Sequence, residues 1–189
     1  MSLAIFSLRH LSGNLFYQTE ADLDIIDIIK SRRSVRKFTS EPVSEELIEN
    51  ILEAGRWAPS GLNNQPWRFA VIRDTGLRQA ISELTHYSKI VLAAQVLIAV
   101  FLDTEKSYHR EKDIQAVGAC LENMLLEAHS LGLGAVWLGE IIRSNDQIKA
   151  ILGLARELNL MAVIALGHPD EKPKSVKRKA LADLIVFRK

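Results

Sequence analysis

One cysteine, Cys120, occurs in the 189 residues. It excludes an intramolecular disulfide and any zinc site built on cysteine pairs, and it fits a reducing compartment. Cys120 falls inside an apolar helical pattern, so it reads as a small buried hydrophobe. There is no surplus of one charge: 24 Lys and Arg stand against 23 Asp and Glu, a formal net charge of +1. Such a balance gives no general pull on nucleic acid or on acidic membranes. Long hydrophobic runs are missing too. The longest, 90–102, is broken by Gln95 and is too short to span a bilayer as a helix. Near the N-terminus Arg9, His10 and Asn14 interrupt the apolar residues and no small-residue cleavage site follows, so no signal peptide is expected. The expected location is the cytoplasm.

Several chemical signatures are also absent. No Gly-x-Gly-x-x-Gly follows a strand, which argues against a dinucleotide site of Rossmann type. There is no Walker loop and no His-Glu-x-x-His. His10, His86, His109, His129 and His168 show no ligand spacing. No metal site is expected, and no Ser-His-Asp triad can be argued.

The chain length suits one domain that buries its own core without staples. Hydrophobic residues make up 48% and the mean hydropathy is +0.04, slightly apolar for a soluble monomer. Some apolar surface is therefore expected to meet a partner chain. Residues 1–21 lack periodicity and read as an N-terminal arm. Residues 22–189 read as a single domain.

Helices are expected over 22–31, from Ser44 to about Gly55, from Asp74 to about His86, over 110–131, and from Ser144 to about Leu152. Ser44, Asp74 and Ser144 are the expected caps. Strands are expected over 67–72, 96–102, 135–138 and 160–166, with a short one at 184–187. The continuous apolar run 96–102 reads as a strand covered on both faces. In the long helix, Ile114, Val117, Leu121 and Leu125 recur in steps of three and four, a seam of coiled-coil type. That seam can pack within the domain or against a second chain. The order of elements gives an α/β or α+β domain with a central sheet between helices.

Two segments carry chemistry. Arg32, Arg33, Ser34 and Arg36 offer three guanidinium groups and a hydroxyl within five residues. Arg makes charge-assisted, often paired hydrogen bonds to phosphate. The plain alternative is a solvated basic helix end. The second segment runs Pro59-Ser60-Gly61-Leu62-Asn63-Asn64-Gln65-Pro66-Trp67. Its residues favour turns, but its amide side chains both donate and accept, as the edge of a flat heterocycle requires. A ligand needing both segments is a nucleotide-like cofactor. Val136-Trp137-Leu138-Gly139-Glu140 forms a strand end. A last basic cluster, Lys172, Lys174, Lys177, Arg178 and Lys179, reads poorly as a nucleic-acid patch because the rest of the chain has no basic surplus.

Together these segments resemble the nitroreductase family of FMN-dependent NAD(P)H oxidoreductases, over nearly the whole of 22–187. Arg32, Ser34 and Arg36 match its Arg-x-Ser-x-Lys/Arg element. Pro59, Ser60, Asn63, Gln65, Pro66 and Trp67 match its Pro-Ser-x-x-Asn-x-Gln-Pro-Trp element. Gly61 stands where many members have a second serine. The resemblance implies an α+β sandwich with a central, mostly antiparallel sheet flanked by helices, built as an intertwined homodimer with FMN at the interface. It implies FMN contacts from Arg32, Arg33, Ser34, Arg36, Pro59, Ser60, Gly61, Asn63 and Gln65. It further implies a cation, Lys89, near the flavin pyrimidine, and a closing basic pair, Lys177 and Arg178, on the phosphate. The backbone N–H of Gly139, beside Leu138, is implied as the donor to flavin N5, although many members have glutamate there. No catalytic side chain is implied. NADH or NADPH would reduce the flavin, and a small acceptor such as a nitroaromatic or quinone would reoxidise it by a ping-pong route. The alternatives are a flavin-binding or storage protein, or a same-fold enzyme of flavin destruction or dehalogenation. Those relatives usually carry an extra lid, and only a short connection follows Leu102 here.

Overall fold

The computed structural model of the protein describes residues 24–174 and 176–189. The arm expected over 1–21 lies outside them. Four strands form one sheet: β1 (Trp67–Ile72), β2 (Val96–Asp103), β3 (Gly134–Leu138) and β4 (Leu158–Gly167), in the order β1-β2-β4-β3. Every neighbouring pair is antiparallel. With helices on both faces, the class is α+β, as expected.

β2 shows why. All eight of its residues are buried, and successive side chains leave opposite faces. Val96, Ile98, Val100 and Leu102 join one core with Ile48, Ile51, Val117 and Leu121. Leu97, Ala99 and Phe101 join a second with Ile81, Val91 and Ile148. Beside β2 the alternation of β4 breaks once. Val100 lies opposite Ala162, but Phe101 lies opposite Leu160, so Met161 is the extra residue of a bulge. The bulge turns Met161 and Ala162 towards the same core while Leu160 and Val163 face the other.

The helices are α1 (Ile25–Ser31), α2 (Glu45–Arg56), α3 (Thr75–Ser82), α4 (Ser88–Ala93), α5 (Arg110–Ser130) and α6 (Asn145–Leu152). The Ser44 hydroxyl accepts from Leu47 N at 3.3 Å, and the Asp74 carboxylate accepts from Leu77 N at 2.8 Å, so both expected caps are made. α1 buries no residue, and Ile25, Ile26 and Ile29 stay exposed.

Three expectations are corrected, and one alternative left open by the sequence is decided. The seam of α5 belongs to the interior of one chain. Val117, Leu121 and Leu125 are buried against the sheet and α2, with Ile114 packed beside them. Ala116, Cys120, Met124 and Ala128 widen the buried face beyond a narrow seam. The helix expected from Asp74 to His86 is two helices. Between them the Thr85 hydroxyl accepts from Tyr87 N at 3.1 Å and donates to Glu140 at 2.9 Å, and so competes with helical backbone bonding. Ser144 sits before α6, but its hydroxyl donates to Leu84 O at 2.9 Å and caps nothing. No strand forms at 184–187. Leu181–Leu184 is a 3-10 turn, and Val186 and Phe187 project outward with no strand partner among the described residues.

Candidate functional site

The arginine segment leaves α1 and crosses the ends of β3 and β4. Val35 N donates to Ala135 O at 3.0 Å, Thr39 N to His168 O at 2.9 Å, and Asp170 N to Lys37 O at 2.9 Å. Gly134 is required for the first of these crossings. A Cβ there would lie 2.7 Å from Val35 Cγ1. The crossing sets the arginines beside the chain that follows β4. Arg32, Arg33, Ser34 and Arg36 line one cleft of about 520 Å³ with Glu171, Lys172, Pro173, Lys174, Val176 and Arg178. Six cations and one carboxylate face this space. Two basic clusters some 140 residues apart in sequence thus form one surface for an anion.

Glu171 ties the halves together, accepting from Arg36 N at 2.6 Å. Arg33 Nη1 donates to Lys30 O at 2.6 Å and to Arg32 O at 2.7 Å, which folds its side chain back on the helix end. Arg32 leans the other way, onto α5, where its Nε lies 3.3 Å from Glu122 Oε1. The pair is not aligned as a hydrogen bond, and Arg32 Nε is buried without a partner among the described residues. On that side the guanidinium is already paired in charge with a carboxylate. Behind the cleft the Ser31 hydroxyl and His129 Nε2 are 2.8 Å apart. Burial lowers the His129 imidazole, and the charges of Arg32 and Arg33 lower it further.

The Pro-bracketed loop is held by its own polar groups. Ser60 Oγ accepts from Gln65 N at 3.1 Å, and Gln65 Nε2 donates to Asn63 O at 3.2 Å. Leu62, Asn63 and Gln65 all have left-handed φ, 55°, 55° and 45°. Asn tolerates this region; for Leu it costs of order 1–3 kcal/mol. Such strain persists only where the surroundings impose it. One anchor is Asn64, whose Nδ2 donates to Asp113 Oδ1 at 2.8 Å and to Lys106 O at 3.1 Å. Gly61 is the second special residue. Any Cβ there would overlap the Tyr108 hydroxyl, so a serine at this point would require the part-exposed Tyr108 side chain to move. Pro59, Ser60 and Gly61 line a cleft of about 320 Å³ with Tyr108, Lys112, Gln115, Ala116 and Ala119.

Eight of the expected residues therefore fall on two clefts, and Asn63 and Gln65 line neither. Arg32, Arg33, Ser34, Arg36 and Arg178 share the basic one, and Pro59, Ser60 and Gly61 share the other. Lys177 is exposed but does not line the basic cleft. Lys89 is exposed on α4 and lines neither. Leu138 is buried at the end of β3, and Gly139 begins the 3-10 turn Glu140–Ser144. Among the described residues the Gly139 N–H has no backbone acceptor, so it is free to donate elsewhere. The next carboxylate, Glu140, is taken up by Thr85 at 2.9 Å and Arg143 at 2.7 Å.

Sequence reasoning did not single out Glu171, Asn64, Tyr108 or Asp113. Asn64 lay inside the motif as an unassigned residue. Asp113 looked like an ordinary acid of a helix first turn, and nothing local marked it as buried. Among the described residues, no group of three or more His, Cys, Asp or Glu is placed to hold a metal ion, and no helix is long and apolar enough to cross a membrane.

Comparison with known proteins places the chain in a family. The model of the nitroreductase family matches residues 29–88 and 82–168. A protein of Methanothermobacter thermautotrophicus named as an NADH dehydrogenase/NAD(P)H nitroreductase is 35% identical over 167 residues, covering 87% of this chain and 84% of its own. A solved structure from Desulfovibrio desulfuricans, named as a nitroreductase in complex with FMN, superposes with a TM-score of 0.84 at 48% identity. It covers 90% of this chain and 99% of its own. The NADPH:FMN oxidoreductase of Vibrio harveyi, complexed with NAD+, gives a TM-score of 0.79 at 26% identity, with 87% of this chain and 77% of its own covered.

Proposed function

This chain belongs to the nitroreductase family, and we propose that it binds FMN and uses NADH or NADPH to reduce small acceptors such as quinones or nitroaromatics. The observation that carries the reading is the basic cleft, where Arg32, Arg33, Arg36, Lys172, Lys174 and Arg178 converge from both ends of the domain. A single phosphate with two negative charges suits it better than a dinucleotide, which is held at a Gly-rich turn the chain lacks.

FMN would supply the redox chemistry, taking a hydride from the nicotinamide and passing electrons to the acceptor. The protein's part is binding and orientation. Arg32 and Arg36 hold the phosphate, with the Ser34 hydroxyl between them and Arg178 closing from the far side. The Asn63 and Gln65 amides serve the heterocycle edge. The Gly139 N–H would donate to a ring nitrogen, a role supported by its having no backbone acceptor among the described residues. Lys89 is assigned a charge beside the pyrimidine, and because it is exposed on α4 that role requires an approach from outside this cleft.

The two halves of the motif line different clefts in one chain, which supports a site completed by a second copy. The exposed Ile25, Ile26 and Ile29 of α1, and the outward Leu184, Val186 and Phe187, are apolar surface available for such a homodimer. The outer side of α5 is open as well: a Cβ on Gly118 would meet nothing within 4 Å.

The test is the flavin itself. Acid extraction and chromatography of purified or FMN-reconstituted protein should return FMN, about one per chain. FAD, or no flavin after excess FMN, would overturn the reading. Double-reciprocal plots of NAD(P)H oxidation against a quinone should be parallel, since one face serves both substrates in turn. Gly139→Pro should slow hydride transfer more than it weakens FMN binding, because proline has no N–H. Flavin binding without NAD(P)H oxidation by any acceptor would favour a storage protein.

A further inference from the structure

Asp113 has no exposed surface, yet it lies in the first turn of α5 beside the Pro-bracketed loop. A buried carboxylate is costly unless its oxygens are filled. Here both are. Oδ2 accepts from Ser107 Oγ at 2.7 Å, Tyr108 N at 3.1 Å and His109 N at 3.2 Å. Oδ1 accepts from Asn64 Nδ2 at 2.8 Å. The donors come from two loops, the motif loop and the short connection between β2 and α5. Asp113 is the point at which the two are joined.

The join fixes Tyr108. Its ring packs against Gly61, which has no Cβ to obstruct it, and 42% of the residue stays exposed. Lys112 Nζ sits 5.5 Å from the ring centroid. The part-exposed ring, with Lys112 over one side, lies beside Pro59, Ser60 and Gln115 as a flat face with a cation behind it. Such a face suits a planar, electron-poor ring that carries polar oxygens.

Resting on the proposed function, we infer that Tyr108 is the aromatic wall of the acceptor site and that Asp113 is the positioning residue that holds it there. The short β2–α5 connection thus does the work of a lid with one side chain. Gly61 and Tyr108 act as a matched pair. The wall discriminates among the proposed acceptors by flatness.

The experiment compares wild type with Tyr108→Ala, Tyr108→Phe, Asp113→Asn and Ser107→Ala, all loaded with FMN. Menadione binding to the oxidised enzyme, read by perturbation of the flavin absorbance without any reductant, should weaken roughly three- to tenfold in Tyr108→Ala and stay unchanged in Tyr108→Phe. FMN affinity should be unchanged in both. KM for menadione should rise in Tyr108→Ala and not in Tyr108→Phe. Hydrogen exchange at the amides of 107–109 should quicken in Asp113→Asn, and KM for menadione should rise with it. Ser107→Ala, which removes one of four hydrogen bonds, gives the same shifts in smaller measure if Asp113→Asn does not fold. Unchanged menadione binding in Tyr108→Ala overturns the wall. Exchange at 107–109 that stays as in wild type, or loss of FMN affinity in step with acceptor affinity, overturns the positioning role. A wild type that takes up no flavin overturns the proposed function and this acceptor role together, and the exchange data then decide the clamp by themselves.

Discussion

Arg32 and Glu122 face each other across the junction of α1 and α5, with Nε and Oε1 3.3 Å apart. The guanidinium that lines the basic cleft is therefore shared with a carboxylate. Arg32→Ala and Arg36→Ala should each weaken FMN binding about ten- to a hundredfold, the loss of a charge-assisted partner. Glu122→Gln should do the opposite. It frees Arg32, and for a partly exposed pair the gain is at most about fivefold. Fluorescence titration of the apoprotein with FMN reads all three. Unchanged affinity in both arginine variants would reduce the cluster to a solvated helix end.

Leu121 decides where α5 belongs. It is 1% exposed in the single chain and packs between α2 and the sheet. Leu121→Ala should cost about 2–5 kcal/mol of folding stability, and Leu121→Asp should prevent folding of the chain. Urea unfolding monitored by far-UV circular dichroism checks this. A folded Leu121→Asp monomer would return α5 to an interface role.

Leu62 is 85% exposed on a left-handed residue, an expensive place for a large apolar side chain. Leu62→Gly should change chain stability by no more than about 1 kcal/mol, since relief of strain and added chain entropy oppose each other. The same change should raise the dissociation constant of the proposed homodimer, measured by sedimentation. A dimer as tight as wild type would remove this loop from the interface.

Acid should act in two stages. Burial and the charges of Arg32 and Arg33 hold His129 below its ordinary value. Its contribution is full above about pH 6.5, the unfolded value, and is lost as pH falls through the lowered folded value. Burial by itself would raise the Asp113 carboxyl, but hydrogen bonds from Ser107, Asn64 and the N–H groups of His109 and Tyr108 outweigh it and hold it low. That contribution is full above about pH 4 and is lost as pH falls through the lowered folded value. Urea midpoints across this range should fall first in wild type but not in His129→Gln. The lower fall should be shallower in Asp113→Asn. A flat profile down to about pH 4 in wild type would count against the His129 assignment.

Cys120 is buried, and burial pushes its thiol up to about 12. The reactive thiolate is scarce, and a reagent cannot reach it. Modification by a disulfide reagent should proceed only as fast as the chain opens, and denaturant should speed it. Rapid labelling of native protein would show that α5 exposes this face.

Patterns of short range were legible in the sequence. The apolar run of β2 foretold a strand covered on both faces, and Ser44 and Asp74 foretold their helix starts, because caps and alternation act within a few residues. The arginine segment and the Pro-bracketed loop were legible as well, since they are contiguous strings. What tertiary structure decided was everything set by distant neighbours. The seam of α5 had the same periodicity for a dimer as for a core, and only the packing of α2 and the sheet against Leu121 settled it. Ser144 looked like a cap until Leu84 O, 60 residues away, took its hydroxyl. Strand 184–187 had the right composition, but a strand exists only with a partner, and the described residues supply none. Asp113 carried no local mark of its burial, because the four donors that make burial tolerable arrive from two separate loops.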